Sequence, residues 1–383
     1  MVGDIALDVP VELAPMAGIT NAAFRRLCQE FGVGLYVSEM TTARALVTRN
    51  AKSMQLIRHH ESEKTRSVQL YGVDAASIRE AVTMLVAEDR ADHIDLNFGC
   101  PVPKVTRRGG GAALPWKLGL FRSIVEAAVQ AAGPVPVSVK MRKGIDADHL
   151  TYLEAGTIAE GSGVASIALH ARTAADFYSG HSDWSAIARL KERIAGIPVF
   201  GNGDIWSADD ALAMVDETGC DGVVVGRGCL GRPWLFAELA AAFRMRRGEL
   251  RADEARARIR HPSLGEVGRA LARHARLLVE FFGDEDQGCR DIRKHVAWYF
   301  KGYPVGGEVR SRMAMVRSLA ELDDLIGLLD PDQPYPGAGA EGPRGRAGTP
   351  RKPHLPEGWL ASHELGGAER AGLTEGAGDT SGG

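Results

Sequence analysis

The chain has 383 residues, 45% of them hydrophobic and 25% charged, with a formal net charge of −3. That composition is ordinary for a globular protein and excludes the collagen-like and low-complexity classes, while no apolar run approaches the ~20 residues that cross a bilayer. The net charge points away from nucleic acid, but it conceals a gradient. Residues 1–243 carry 24 basic and 28 acidic side chains, residues 244–317 carry 17 and 10, and residues 318–383 carry 5 and 11. One basic block therefore sits between two acidic ones.

The opening MVGDIALDVP is too acidic and too poor in apolar residues for a signal peptide. The five cysteines (Cys28, Cys100, Cys220, Cys229, Cys289) are scattered with no C-x-x-C pair, which argues against a disulfide framework and against a metal site. A cytoplasmic protein is expected, with no membrane segment, no evident protein partner and a monomeric state.

In chain order, eight short apolar runs recur: VELAPMAG, GLYVSEM, RSVQLYG, HIDLNFG, VPVSVKMR, ASIALHAR, IPVFGNGD and DGVVVGRG. Each has a compact apolar or β-branched core, and several end in glycine or polar residues, as buried strands do. Helix-like stretches lie between them, such as DAASIREAVTMLVAE and SADDALAMVDETG, the latter opening on Ser207 and two acids. Eight strands alternating with helices predict an α/β fold, a (β/α)8 TIM barrel, over residues 1–243. A doubly wound open sheet is the competitor, but APMAGITNAAF supplies no G-x-G-x-x-G after the first strand. From residue 244 the texture becomes purely helical, in LGEVGRALARHARLLVEFF and DIRKHVAWYFKGY, and predicts a small all-α domain over 244–330. Residues 331–383 are more than a third glycine and proline and predict a disordered tail.

Barrel enzymes build their sites where the strands end, on the C-terminal face. The residues there are Pro15, Met16 and Ala17, then Glu39, Gln69, Asn97 and Cys100, Lys140 and Arg142, His170 and Arg172, Asn202, Gly203 and Asp204, and finally Gly226 and Arg227. GNGD and GRG place bare backbone N–H groups beside Arg227 after strands 7 and 8, where barrels commonly hold a phosphate. Lys140 adds a cation, and Gln69 can donate to and accept from the edge of a heterocycle. A phosphorylated ring cofactor such as FMN fits this set. Glu39 reads equally well as an internal ion-pair partner and is left out of the site.

The segments LAPMAGITNAAFRRLC, SEMTTARALV, VQLYG, DLNFGCPVPKVTRRGGGAALP, VKMRKG, LHARTAADFYSG, GNGDI, GVVVGRGCLGRPWLF and RKHVAWYFKG together resemble the tRNA-dihydrouridine synthases, most closely the bacterial B-type branch. The likeness covers residues 1 to about 330, with no departure at the motif positions. It implies an FMN barrel, a helical tRNA-holding domain, and reduction of selected uridines to 5,6-dihydrouridine at the expense of NADPH. By the resemblance, FMN lies against Pro15, Met16, Ala17, Gln69, Lys140, His170, Asn202, Gly203, Asp204, Gly226 and Arg227. Asn97, Arg142 and Arg172 lie around the flipped base, and Cys100 is the proton donor.

The chemistry accounts for a thiol in that place. Saturating the 5,6 double bond of uracil takes a hydride on C6, which reduced flavin supplies, and a proton on C5. A thiol with a pKa near ~8.5 is mostly protonated at neutral pH and can act as an acid. Taking a base out of its stack costs a few kcal/mol, which contacts elsewhere must offset. The basic block, with Arg290, Arg293, Lys294 and Lys301 at helical spacing, is the expected source, and Arg293 and Lys294 are the candidate tRNA contacts. Arg107 and Arg108 join them on the RRGGG loop, which is expected to be mobile. Two other readings explain part of the sequence: an FMN barrel acting on a small molecule, and an RNA-binding protein with an inactive barrel.

Overall fold

A computed structural model describes residues 1–32, 34–345 and 347–366. Nine parallel strands form one sheet: β1 (Val11–Leu13), β2 (Leu35–Tyr36), β3 (Thr41–Thr42), β4 (Ser67–Tyr71), β5 (His93–Phe98), β6 (Val137–Gly144), β7 (Ser166–Thr173), β8 (Val199–Asn202) and β9 (Gly222–Val225). Their order is β2-β1-β9-β8-β7-β6-β5-β4-β3. A parallel bridge from Val37 to Ser67 joins the two ends. β2 and β3 are thus two pieces of one bent barrel strand, and the eight apolar runs are the eight staves of the barrel. At the bend, the Ser38 hydroxyl accepts from the Gln69 N–H at 3.1 Å, so the interrupted ladder keeps its partners.

Side chains alternate along each strand. Val11, Leu13, Val68, Leu70, Ile94, Leu96, Val139, Met141, Ile167 and Leu169 belong to the large apolar core shared with the surrounding helices. The intervening positions, Glu12, Gln69, Asp95, Asn97, Ser138, Lys140 and His170, face the barrel axis. This alternation gives an enzyme-like interior inside an apolar jacket. The helix Ala208–Thr218 opens where the sequence predicts, with Ser207 and Asp210 capping each other.

A second apolar cluster begins at Leu264 and runs through Leu277, Ile292, Phe300 and Leu325, and it recruits Ala23, Leu27 and Trp234 from the barrel side. Its helices are Leu264–Phe282, Glu285–Ile292, Val296–Tyr299, Gly307–Met313 and Leu319–Gly327. The expected boundary at residue 243 falls inside the helix Leu235–Arg246, whose Leu235, Leu239 and Phe243 pack in the barrel core.

Two expectations are corrected. RDIRKHVAWYFKGY is not one α-helix: a tighter 3₁₀ turn over Arg293–His295 separates two helical pieces. The cations take separate partners: Arg290 pairs with Asp286, Arg293 donates to the Val316 carbonyl, and Lys294 donates to Gly18 and Asp291. Of the expected tail, residues 331–345 and 347–366 are packed rather than disordered. Trp359 is 1% exposed, Arg344 is buried, and Ala340 packs beside Gly302. A few well-placed anchors order a segment whose average composition is too polar to do so alone. Residues 367–383, the rest of the expected tail, lie outside the described residues.

Candidate active site at the barrel mouth

Inside the barrel the polar staves interlock. The Gln69 amide donates to Asp95 Oδ2 at 2.6 Å and accepts from Asn97 Nδ2 at 2.8 Å, while the Ser138 hydroxyl donates to Asp95 Oδ1 at 2.5 Å. Lys140 Nζ donates to Asn202 Oδ1 at 3.1 Å, and the Asn202 amide donates to the Val224 carbonyl at 2.6 Å. Burial pushes the Glu12 carboxyl up to about 8, with Asp95 adding to the effect and Lys140 opposing it. Burial likewise raises Asp95 and lowers Lys140, and the two groups partly offset each other's desolvation. Glu12 and Asp95 escape a reading for strand ends, yet an acid inside a buried parallel strand is itself a signal.

Cys100 sits one turn beyond β5. Asn97 Oδ1 accepts from the N–H groups of Gly99 (3.2 Å) and Cys100 (2.9 Å), so this amide shapes the turn that presents the thiol. Beneath it, Arg142 donates to the carbonyls of Gly99 (2.9 Å), Thr173 (2.9 Å) and Phe177 (2.8 Å), which commits its guanidinium to tying the β5 loop to the β7 loop. Cys100 is half-buried, whereas the other four cysteines are buried. Burial raises the thiol pKa above its ordinary value, against weaker lowering by a hydrogen bond with the Val102 backbone and by Arg142. At neutral pH the sulfur therefore keeps its proton.

The three glycines after it are demanded by close packing rather than looseness, which corrects the expectation of a mobile loop. A Cβ on Gly109 (φ +72°) would stand 2.4 Å from the Trp359 ring, and one on Gly111 (φ +55°) 2.4 Å from the Cys100 carbonyl. Gly110 is hemmed in by Val73 and Val105.

Across the mouth lies a glycine-and-cation cradle. Gly203 (φ +127°) has no room for a side chain because Ser182 Oγ occupies the place, 2.1 Å from where a Cβ would be. Asp204 (φ +57°) follows in the left-handed region and takes both carboxylate bonds from Arg172 at 2.8 Å. It also lies 3.7 Å from the Arg227 guanidinium. Asp204 is thus the counter-ion of this cluster. Arg227 stacks on Tyr178 (4.6 Å) and Trp206 (5.1 Å), aromatic partners absent from the sequence reading. Among the described residues, Arg172 Nη1 and Ser182 Oγ are buried without a hydrogen-bond partner. His170 is held neutral, its pKa well below the ordinary value because of burial and of Arg142, Lys140, Arg172 and Arg227 around it.

After β1, Met16 N donates to Thr20 Oγ1 at 2.9 Å, Pro15 and Met16 are half-buried, and Ala17 is exposed. The next residue, Gly18, donates its N–H to Glu39 and accepts from Lys294 Nζ. Lys294 also pairs with Asp291 at 2.7 Å. Arg293 instead donates to the Val316 carbonyl at 2.9 Å, inside the helical unit. The two neighbours serve different elements, and only Lys294 reaches the barrel rim.

Residues 12–329 match the family described as dihydrouridine synthase. The chain belongs to that family. It is 54% identical over 376 residues to the probable tRNA-dihydrouridine synthase of Mycobacterium leprae, covering 91% of this chain and 95% of that protein. It is 40% identical over 312 residues to tRNA-dihydrouridine synthase B of Pseudomonas putida, covering 81% and 88%. The structure of morphinone reductase in complex with tetrahydroNAD aligns with 65% of this chain and 89% of its own, at 14% identity and a TM-score of 0.45. Family membership makes the protein an oxidoreductase. Among the described residues, no helix is long and apolar enough to cross a membrane.

Proposed function

We propose that the protein is an FMN-dependent tRNA-dihydrouridine synthase in which Cys100 protonates C5 of a uridine, with NADPH as the reductant. The observation that carries this reading is the pairing of a half-buried, protonated thiol on one side of the barrel mouth with an anion cradle on the other. Among the described residues, two buried donors have no partner, Arg172 Nη1 and Ser182 Oγ; both residues hydrogen-bond Asp204, and the Ser182 hydroxyl stands where a side chain on Gly203 would lie. That arrangement suits a phosphate: the donors lack an acceptor, and the glycine permits close approach. Gly226 and Arg227 complete the phosphate side, and Pro15, Met16, Ala17, Gln69, Lys140, His170, Asn202 and Asp204 surround the place of the ring.

When bound, reduced FMN supplies the hydride for C6 of the uracil ring. The chain's own residues do the rest. Lys140, a cation in a dry barrel, stabilises negative charge that develops on the substrate carbonyl. Cys100 holds the proton that C5 must receive, and Asn97 and Arg142 fix the turn that aims it. Neutral His170 donates a hydrogen bond without adding a fifth charge to the cation cluster. Arg172 keeps the cradle oriented through Asp204. The cost of extruding the base is offset by contacts on the basic block, of which Lys294 reaches the barrel rim at Gly18.

The test is spectroscopic. The purified protein should release FMN on denaturation, bleach with NADPH, and recover its colour when given tRNA lacking dihydrouridine. Bleaching that reverses with a small enoate but not with tRNA would replace this reading with a small-molecule reductase.

A further inference from the structure

The family match ends at residue 329, yet the described residues beyond it, 330–345 and 347–366, continue along the barrel mouth. Arg344 is buried and donates to the carbonyls of Leu230 (3.2 Å) and Trp298 (2.6 Å). Gly345 lies against the side chain of Arg227. Arg351 then donates its N–H to the Ala175 carbonyl at 2.8 Å and places its guanidinium 5.3 Å above the Phe177 ring. Finally Trp359 enters the loop that follows Cys100. The segment thus visits the loops after β9, β7 and β5 in turn, and each of these loops carries or supports a site residue.

The last anchor is the strongest. Trp359 is 1% exposed and shares an apolar cluster with Ala113 and Ile145. Its indole Nε1 donates to the Ala113 carbonyl at 2.9 Å, and its ring occupies the space beside Gly109. Lys117, at the far end of the same loop and 1% exposed, donates to the carbonyls of Ser362 (2.9 Å) and Glu364 (3.0 Å). Its ammonium stands 5.0 Å from the Trp359 ring centre. One residue before Ala113, the N–H of Ala112 donates to the Cys100 carbonyl at 3.1 Å. The indole is therefore a single peptide unit removed from a hydrogen bond to Cys100 itself.

We propose that residues 347–366 form a strap and that Trp359 is a positioning residue for the Cys100 loop. Its role in turnover rests on the reading of Cys100 as the acid; the mechanical claim does not. A loop rich in glycine has little reason of its own to hold one shape, because each glycine gains much conformational freedom when released. The strap supplies an indole that fills the gap left by the absent side chains, a donor for Ala113, and two acceptors for a buried ammonium. Without it, a cavity would remain behind the thiol and the buried Lys117 ammonium would lose two acceptors, and the loop would open to relieve both.

The experiment compares the wild type with Trp359→Ala and the conservative Trp359→Phe, which keeps a ring beside Gly109 but has no N–H. Three quantities are read: the rate of alkylation of Cys100 by iodoacetamide, hydrogen exchange of the amides of residues 109–117, and the rates of flavin reduction by NADPH and of reoxidation by tRNA. Trp359→Ala is expected to raise alkylation and exchange at least tenfold and slow reoxidation by a similar factor, with reduction within twofold of wild type. Trp359→Phe should lie between the two. If Trp359→Ala does not fold, a rise of about threefold in alkylation and exchange in Trp359→Phe upholds the proposal, and no rise overturns it. Lower thermal stability with alkylation, exchange and reoxidation unchanged also overturns it. If Cys100 is not the acid, alkylation and exchange still rise while reoxidation does not change, so the two failures are distinct.

Discussion

At the scale of single residues, the site is a set of polar groups whose neighbours decide their protonation. Cys100 keeps its proton because burial outweighs the hydrogen bond with Val102 and the charge of Arg142. The sign of its pH dependence follows. An acid works while it is protonated, so the tRNA-dependent step should be level through neutral pH and fall as pH rises through the raised thiol pKa. Stopped-flow reoxidation across pH 6 to 10 checks this, and a rate that climbs over the same range would make the thiolate the active form. The polar strand ends were readable from the sequence: Gln69, Lys140, His170 and Asn202 all face the mouth. The partners were not, because Asp95, Tyr178, Ser182 and Trp206 lie far from them in the chain or in ordinary-looking turns. Asn97 and Arg142 were legible as strand-end residues, but their engagement with the backbone of the thiol's own turn depends on three-dimensional contacts.

At the scale of elements, eight apolar runs sufficed to specify the barrel, because parallel strands buried on both faces leave a period and a composition that little else imitates. What lay beyond reach was the anchoring of irregular segments. Residues 347–366 depend on single side chains such as Trp359 and Lys117, which an average over composition dilutes. The RRGGG run is read as flexible for the same reason, although its glycines are fixed by Trp359 and by Cys100. The loop after β1 has a comparable anchor in Arg25, which is fully buried with Glu63 at 2.7 Å and also donates to the Thr20 carbonyl at 2.8 Å. Arg25→Ala would leave Glu63 as an unpaired buried carboxylate and should cost about 3–5 kcal/mol of folding stability. Urea unfolding measures it; a loss under about 1 kcal/mol would mean that the pair relaxes into water.

At the scale of the whole molecule, the barrel and the helical unit are joined by apolar packing of Ala23, Leu27 and Trp234 and by ion pairs such as Arg273–Glu30 at 2.6 Å. The excess positive charge of residues 244–317 therefore rides on a body held against the barrel. Lys294 is one of the cations that connect the two, donating to the Gly18 carbonyl. Reversing its charge in Lys294→Glu should weaken tRNA binding about tenfold and reduce the salt slope by about one, with flavin reduction unaffected. Binding titrations at several salt concentrations decide it, and unchanged affinity would move the RNA surface away from the rim.

The most direct measurement is single-turnover reoxidation of the reduced holoenzyme by unmodified tRNA in Cys100→Ala. The variant is expected to retain FMN and to be bleached by NADPH at the wild-type rate, while transfer to tRNA falls by about 10²–10⁴-fold. Reoxidation at the native rate would contradict the assignment of the proton to this sulfur.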